Sequence, residues 1–176
     1  MNRTKNLNEC IKSTKTIKQI KNHVVVDWSS ETEISINDPF INLFRVNGEK
    51  QWWLTRAYNV GFNLANNDYI LKIDADTLIS EDLINSTEYI NYDLIIFKEN
   101  NNDYGNFIIK KSLIEKINGF NEFIWGWGWD DHDFIKRAKE LENIRYKEIE
   151  NSIIKIENKF AEKRTSKRRK FLNNEE

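Results

Sequence analysis

One cysteine, one proline and six glycines are all that this chain of 176 residues contains of the residue types that most constrain or cross-link a backbone. Cys10 alone excludes an internal disulfide framework and a cysteine metal cluster, and it fits a reducing compartment. It is expected to be a packing residue. Low-complexity and disordered classes are excluded by the scarcity of proline and glycine and by an aromatic content of 12% with six tryptophans. There is no internal repeat. No uninterrupted apolar run approaches the ~18 residues of a membrane span, and the first residues are polar and basic without the apolar heart of a signal peptide. The expected place is the cytoplasm. A net charge of -1, from 27 basic and 28 acidic side chains, argues against a surface built for nucleic acid.

What is present is enough for one core. Hydrophobic residues make up 39% and charged residues 31%, which suits a single domain and is too little chain for two. Residues 4–19 carry Leu7, Cys10, Ile11 and Ile17 at roughly helical spacing. His23-Val24-Val25-Val26-Asp27-Trp28 reads as a buried parallel strand ending at an acid. Residues 41–46 alternate as a third strand would, closed by Asn47-Gly48. Residues 52–66 form a helix rich in apolar side chains, interrupted on that face by Arg56, Asn59 and Gly61. Ser80-Glu81-Asp82 opens a short capped helix, residues 92–97 and 104–109 are strands, and residues 112–118 are a helix stopped by Gly119. Strands alternating with helices predict an α/β domain with a mainly parallel sheet covered on both faces.

Within that frame Tyr69-Ile70-Leu71-Lys72-Ile73 is a short strand that runs straight into Asp74-Ala75-Asp76. Open α/β sheets bind ligands at the carboxyl ends of their strands. Side chains at i and i+2 share a face, so both acids can meet one cation or one polar ligand, and oxygen pairs of this kind suit Mg²⁺ or Mn²⁺ carrying a phosphate. A solvated strand end with an Asx-type turn through Asp76-Thr77 is the other reading.

The second unusual stretch is Trp125-Gly126-Trp127-Gly128-Trp129-Asp130-Asp131-His132-Asp133. Glycines between the tryptophans weaken both helix and strand, so a loop presenting a wall of flat side chains is expected. The acids that follow fall in the first turn of a helix beginning near Phe134, at the positive end of its dipole. Indole faces beside carboxylates match a sugar, whose ring stacks while its hydroxyls bond to acids; an acidic helix cap behind core tryptophans is the plainer alternative.

Taken together, these stretches resemble the GT-A nucleotide-sugar glycosyltransferases, namely family 2 enzymes and the related C-terminal region of galactosyltransferases and chondroitin-type polymerases. Asn2-Arg3 with Leu7, Cys10 and Ile11 is similar to the family's first helix, and residues 24–30 to its second strand, in which Asp27 would contact the nucleotide. Arg56-Ala57-Tyr58-Asn59-Val60-Gly61 is similar to the helix that lines the donor pocket, which implies donor roles for Arg56 and Asn59. Asp74-Ala75-Asp76 matches the family's Asp-x-Asp, with Asp76 on a divalent ion and Asp74 on the ribose or the same ion. Residues 117–122 and 125–131 match the acceptor side, which implies Trp125, Trp127, Trp129 and Asp130 as acceptor contacts and Asp131 as the catalytic base.

The resemblance implies an inverting transferase that uses a nucleoside diphosphate sugar, in particular a UDP-sugar, a saccharide hydroxyl acceptor, and Mn²⁺ or Mg²⁺. Its alternative is a non-catalytic remnant that binds sugar or nucleotide. The family's first strand has no counterpart before Asn2, which implies a domain over residues 1–158 truncated at its N-terminus, with sheet edges left uncovered. The family's late histidine ligand is also missing, so Glu157 is the stand-in. His132 replaces an acid, and Trp129 a glycine. Residues 159–176 form a basic tail, whose run from Lys163 to Lys170 could attract an anionic membrane surface or be a solvated helix end.

Overall fold

Three valines in a row favour a strand, because their branched side chains pack on a pleated surface better than along a helix. In the computed structural model, which describes residues 4–98, 104–125, 128–150 and 152–156, that run lies in strand β1 (His23–Trp28). β1 pairs in parallel with β2 (Ile41–Val46), from His23 opposite Ile41 to Trp28 opposite Val46. Helix α1 (Thr4–Lys15) buries Leu7, Cys10, Ile11 and Thr14, the i, i+3, i+4, i+7 face of an amphipathic helix. It stops earlier than the spacing predicted, because turns closed by Ile17 N–H on Thr14 O and Ile20 N–H on Ile17 O carry the chain to β1.

Helix α2 (Leu54–Leu64) follows, then β3 (Tyr69–Lys72), the short β4 (Thr77–Leu78) and α3 (Glu81–Thr87). The Ser80 cap is as expected, its side chain accepting from Leu83 N–H at 3.2 Å. Strands β5 (Leu94–Lys98) and β6 (Asn106–Lys110) lead to α4 (Lys111–Lys116), α5 (Asp130–Lys139), β7 (Tyr146–Glu150) and β8 (Ile154–Lys155).

The main sheet has the order β3-β6-β5-β7, and here the expectation of a mainly parallel arrangement needs correction. β3 with β6, β5 with β6, and β4 with β8 are antiparallel, whereas β5 with β7 and β1 with β2 are parallel. The segment between β5 and β6 is too short for a crossover helix, so those neighbours can pair only antiparallel. Covering of both faces is as expected. Leu94, Ile96, Phe107 and Ile109 point into one apolar cluster with Phe134 and Ile135 of α5, and Ile95, Phe97 and Ile108 into another with Ile84 of α3.

The uncovered edges are present as an internal gap. His23 and Ser29 donate their N–H groups to Phe40 O and Val46 O, so the alternation along β1 turns the backbones of Val24 and Val26 away from β2. β3 likewise uses one edge for β6. The other edges of both strands border a cavity of about 1420 Å³, and no strand among the described residues lies between them. None of the described helices is long and apolar enough to cross a membrane.

Candidate active site

Acids follow β3 because the strand stops at Lys72 and the chain turns. Asp74 O accepts from Thr77 N–H at 3.0 Å, and Asn106 Oδ1 of β6 accepts from Asp74 N–H at 2.9 Å. Asp74 and Asp76 therefore owe their placement to this turn rather than to strand alternation, and both border the large cavity. So do Asp27, Asp130 and Asp131, which come from β1 and from the first turn of α5.

Three side chains converge on the Asp74 carboxyl. Its Oδ1 accepts from Tyr58 Oη at 3.0 Å and from Lys72 Nζ at 3.1 Å, and its Oδ2 from Lys155 Nζ at 2.9 Å. Burial by itself would raise its pKa, but the two lysines more than offset this and hold the carboxyl well below the usual carboxylate range.

Lys72 is only 5% exposed. Its ammonium donates to Gly105 O, to Asp74, and to Asp131 Oδ1 at 3.3 Å, and it lies 4.2 Å from the centre of the Tyr58 ring. Burial disfavours its charge, but Asp131 and Asp74 overcome that and raise its pKa well above the ordinary value. Asp131 goes the other way for a carboxylate. Burial raises its pKa above the normal value, with Lys72 opposing and Asp130 and Asp74 adding to the rise. A base whose proton affinity is enhanced in this way is suited to take a proton from a hydroxyl.

Asp130 is 5% exposed, and its Oδ2 has no hydrogen-bond partner among the described residues. An orphaned carboxylate oxygen at a cavity wall has an unmet need for a donor such as a hydroxyl. Beside it Trp129 adopts a left-handed backbone with φ 68° and leaves its indole 72% exposed at the cavity rim. His132 packs edge-on against Tyr104, ring centres 4.7 Å apart, and also borders the cavity.

The remaining sequence candidates divide. Asp27 is buried at the end of β1, where Ser30 N–H donates to Oδ1 at 3.1 Å and Arg45 to Oδ2. Those bonds outweigh burial and lower its pKa. Arg56 and Asn59 do not border the cavity. The Arg56 guanidinium lies 3.7 Å over the Trp53 ring and 3.3 Å from Glu122. Asn59 donates to Phe120 O and Glu122 Oε1 and accepts from Phe120 N–H, a complete set of bonds to the loop after α4. Trp125 is 60% exposed and away from the cavity wall, so of the expected aromatic wall the cavity has Trp129. Trp127, Glu157 and the basic tail lie outside the described residues.

Lys72, Lys155 and Tyr58 were not singled out from the sequence. Lys72 did carry a signal, a charge inside an apolar strand, which only a buried partner makes tolerable.

For a divalent ion the donor set is suitable. Asp74 and Asp76 are hard oxygen donors lining one cavity, and two ammonium groups already engage Asp74. Among the described residues no group of three or more His, Cys, Asp or Glu side chains is gathered. Mg²⁺-type sites commonly use one or two carboxylates and take further oxygens from a bound phosphate, which this cavity allows.

Residues 1–87 match the glycosyl transferase family 2 model, and residues 89–160 match the model described as the N-terminal domain of galactosyltransferase. Among solved structures the chain is similar to a mutant of Drosophila β1,4-galactosyltransferase 7 in complex with manganese, UDP-Gal and xylobiose, at 16% identity and a TM-score of 0.66, over 93% of this chain and 70% of that one. It is also similar to the mannosyltransferase PcManGT from Pyrobaculum calidifontis in complex with GDP-Man and Mn²⁺, at 15% identity and a TM-score of 0.66, over 89% and 54%. A third likeness is to S. aureus TarS 1-349 in complex with UDP-GlcNAc, at 16% identity and a TM-score of 0.64, over 82% and 52%. The chain thus spans about half the length of the last two. No curated protein matches the sequence. Likeness at such identity establishes the fold.

Proposed function

The chain is a glycosyltransferase of GT-A fold, of family 2 type in its first half and galactosyltransferase-like in its second, and on that footing we propose that it transfers a sugar from a UDP-sugar to a hydroxyl of a saccharide acceptor with inversion at the anomeric carbon. The observation that carries this reading is the meeting of Asp76 and Asp131, 55 positions apart in sequence, at the walls of one cavity. Nucleoside diphosphate sugars or saccharides accompany the similar structures, which supports the same substrate classes here.

The donor would lie along the wall from Asp27 to Asp76, with its diphosphate toward Asp76 and the acceptor toward α5. Asp130 accepts a hydrogen bond from an acceptor hydroxyl through its unpartnered oxygen. Asp131 takes the proton of the attacking hydroxyl while that oxygen bonds to the anomeric carbon from the face opposite the diphosphate. The bond to the diphosphate oxygen breaks, and its electron pair leaves with the diphosphate. An Mn²⁺ or Mg²⁺ ion, when bound at Asp76, supplies Lewis-acid stabilisation of the charge developing there. Trp129 at the rim offers a flat face for a sugar ring. The basic run at residues 163–170 suits contact with an anionic membrane surface that carries the acceptor.

The test combines a transfer assay against a panel of UDP-sugars and saccharides with calorimetry of UDP and Mn²⁺ binding. Asp131→Asn is expected to lose turnover by about 10²–10⁴-fold with UDP binding retained, and Asp76→Ala to lose the metal-dependent part of binding. Binding with no transfer by the unaltered chain to any acceptor would point instead to a non-catalytic donor-binding domain.

A further inference from the structure

Lys72 occupies a position walled by aromatic rings, where a charge is out of place unless its partners are built in. It lies at the end of an apolar strand, between the rings of Tyr58 at 4.2 Å and Phe107 at 5.7 Å, and is almost wholly removed from solvent. Burying an ammonium in such a place is unfavourable unless its hydrogen bonds are met, and replacing buried ion pairs by apolar groups is often neutral for stability. All three of its protons have acceptors: Gly105 O, Asp74 Oδ1 at 3.1 Å and Asp131 Oδ1 at 3.3 Å. Two of these belong to acids that line the same cavity from different elements, one after β3 and the other at the head of α5. Lys72 is thus a single fixed charge that touches both.

We infer that Lys72 is a positioning residue, whose ammonium ties Asp131 to the donor-side acid Asp74 and keeps the base ionised and correctly placed before the acceptor arrives. This rests on the reading of Asp131 as the base. The groups that face the Asp131 carboxyl are Lys72 and Asp74 from β3 and its turn, Tyr58 from α2, and Asp130 from its own helix. Lys72 is the one cation among them. Asp74 and Asp130 are acids whose charge opposes that of Asp131, the Tyr58 phenol is kept neutral by its burial, and burial of Asp131 itself also disfavours the carboxylate. Without the ammonium, the acid would hold its proton to higher pH and would be free to turn away from the cleft. When Asp131 takes the acceptor's proton it becomes neutral, and the Lys72 charge is then left to Asp74 on the donor side, where negative charge is developing.

The experiment titrates the Asp131 carboxyl by ¹³C NMR, with its signal assigned through Asp131→Asn, in the wild type and in Lys72→Met. In parallel, transfer kinetics are measured for Lys72→Met, Asp131→Asn and the double variant. The expected results are an upward shift of the Asp131 midpoint in Lys72→Met and a fall in kcat of about 10-fold or more with little change in donor KM. A further expectation is no added loss when Lys72→Met is placed on Asp131→Asn, because residues acting through one another are not additive. An unmoved midpoint, a loss confined to KM, or additive losses in the double variant would overturn the inference. Should Lys72→Met fail to fold, Lys72→Gln, which keeps a hydrogen-bond donor without the charge, carries the same expectations. A wild type that transfers no sugar overturns the transferase reading alone; the carboxyl titration needs no substrate and still decides the role of Lys72.

Discussion

Lys155 Nζ and Asp74 Oδ2, 81 residues apart in sequence, meet at 2.9 Å and tie the end of the described chain to the turn after β3. The pair is less than one third exposed on either side. Breaking a buried pair from one side leaves a charge that is neither hydrated nor matched, and here it takes a charge partner from Lys72 as well. Asp74→Asn is therefore expected to destabilise the fold by roughly 3 kcal/mol, measured as a lower urea midpoint with an unchanged slope. A midpoint within error of wild type would show that neither lysine depends on this acid.

Asn59 and Gly119 make a second such junction. Gly119 has φ +66°, and a Cβ built on it would come within 2.5 Å of Asn59 Oδ1. Gly119→Ala is expected to cost roughly 1–3 kcal/mol from the left-handed backbone and the clash together. Asn59→Ala should lower thermal stability with UDP affinity retained, because its bonds go to Phe120 and Glu122. A folded Asn59→Ala chain that no longer bound UDP would restore the donor role that family resemblance gave it.

His23 should give the fold a pH dependence of its own. Burial lowers its pKa from 6.5 to about 4, and its Nδ1 is 3.1 Å from Thr14 Oγ1. The folded state thus resists a proton that the unfolded chain accepts. Stability from this group is complete above about pH 6.5 and is lost progressively as pH falls toward about 4. Urea midpoints at pH 7.5 and pH 5 should differ, and His23→Gln should reduce the difference. Equal sensitivity in both proteins would exclude His23 as its source.

Cys10 is 1% exposed, and burial, reinforced by Asp74 and Asp76, pushes its thiol up to about 12. Since the thiolate is the reactive form, an aromatic disulfide reagent at pH 8 should leave the native protein unmodified and titrate one thiol in urea. Rapid native labelling would mean that α1 lifts from the turn after β3.

Much of this was legible in the sequence because it rests on local pattern. The run at residues 23–28, the Ser80 cap and the acids at the head of α5 each follow from spacing or end chemistry within a few residues. β7 was not legible, since Tyr146-Lys147-Glu148-Ile149-Glu150 alternates charge with little apolar content. What makes it a strand is its parallel pairing with β5 and the ties from Lys98 and Lys139 to Glu148. The parallel or antiparallel sense of each ladder is set by neighbours distant in sequence, and strand periodicity is silent about it. Asp74, Asp76 and Asp131 were legible as acids in revealing places. That two lysines would converge on Asp74 was not, because Lys155 arrives from a strand at the far end of the domain.

The gap between β1 and β3 also bears on how the molecule comes apart. Leu7, Ile11 and Val25 form an apolar cluster of their own, separate from the two that sandwich the main sheet. With no backbone ladder between the two sheets among the described residues, the β1–β2 ribbon and the first helix can detach while Phe97 and Phe107 remain dry. The domain should then melt in two stages, and the first would carry Asp27 away while leaving Lys72 beside Asp131.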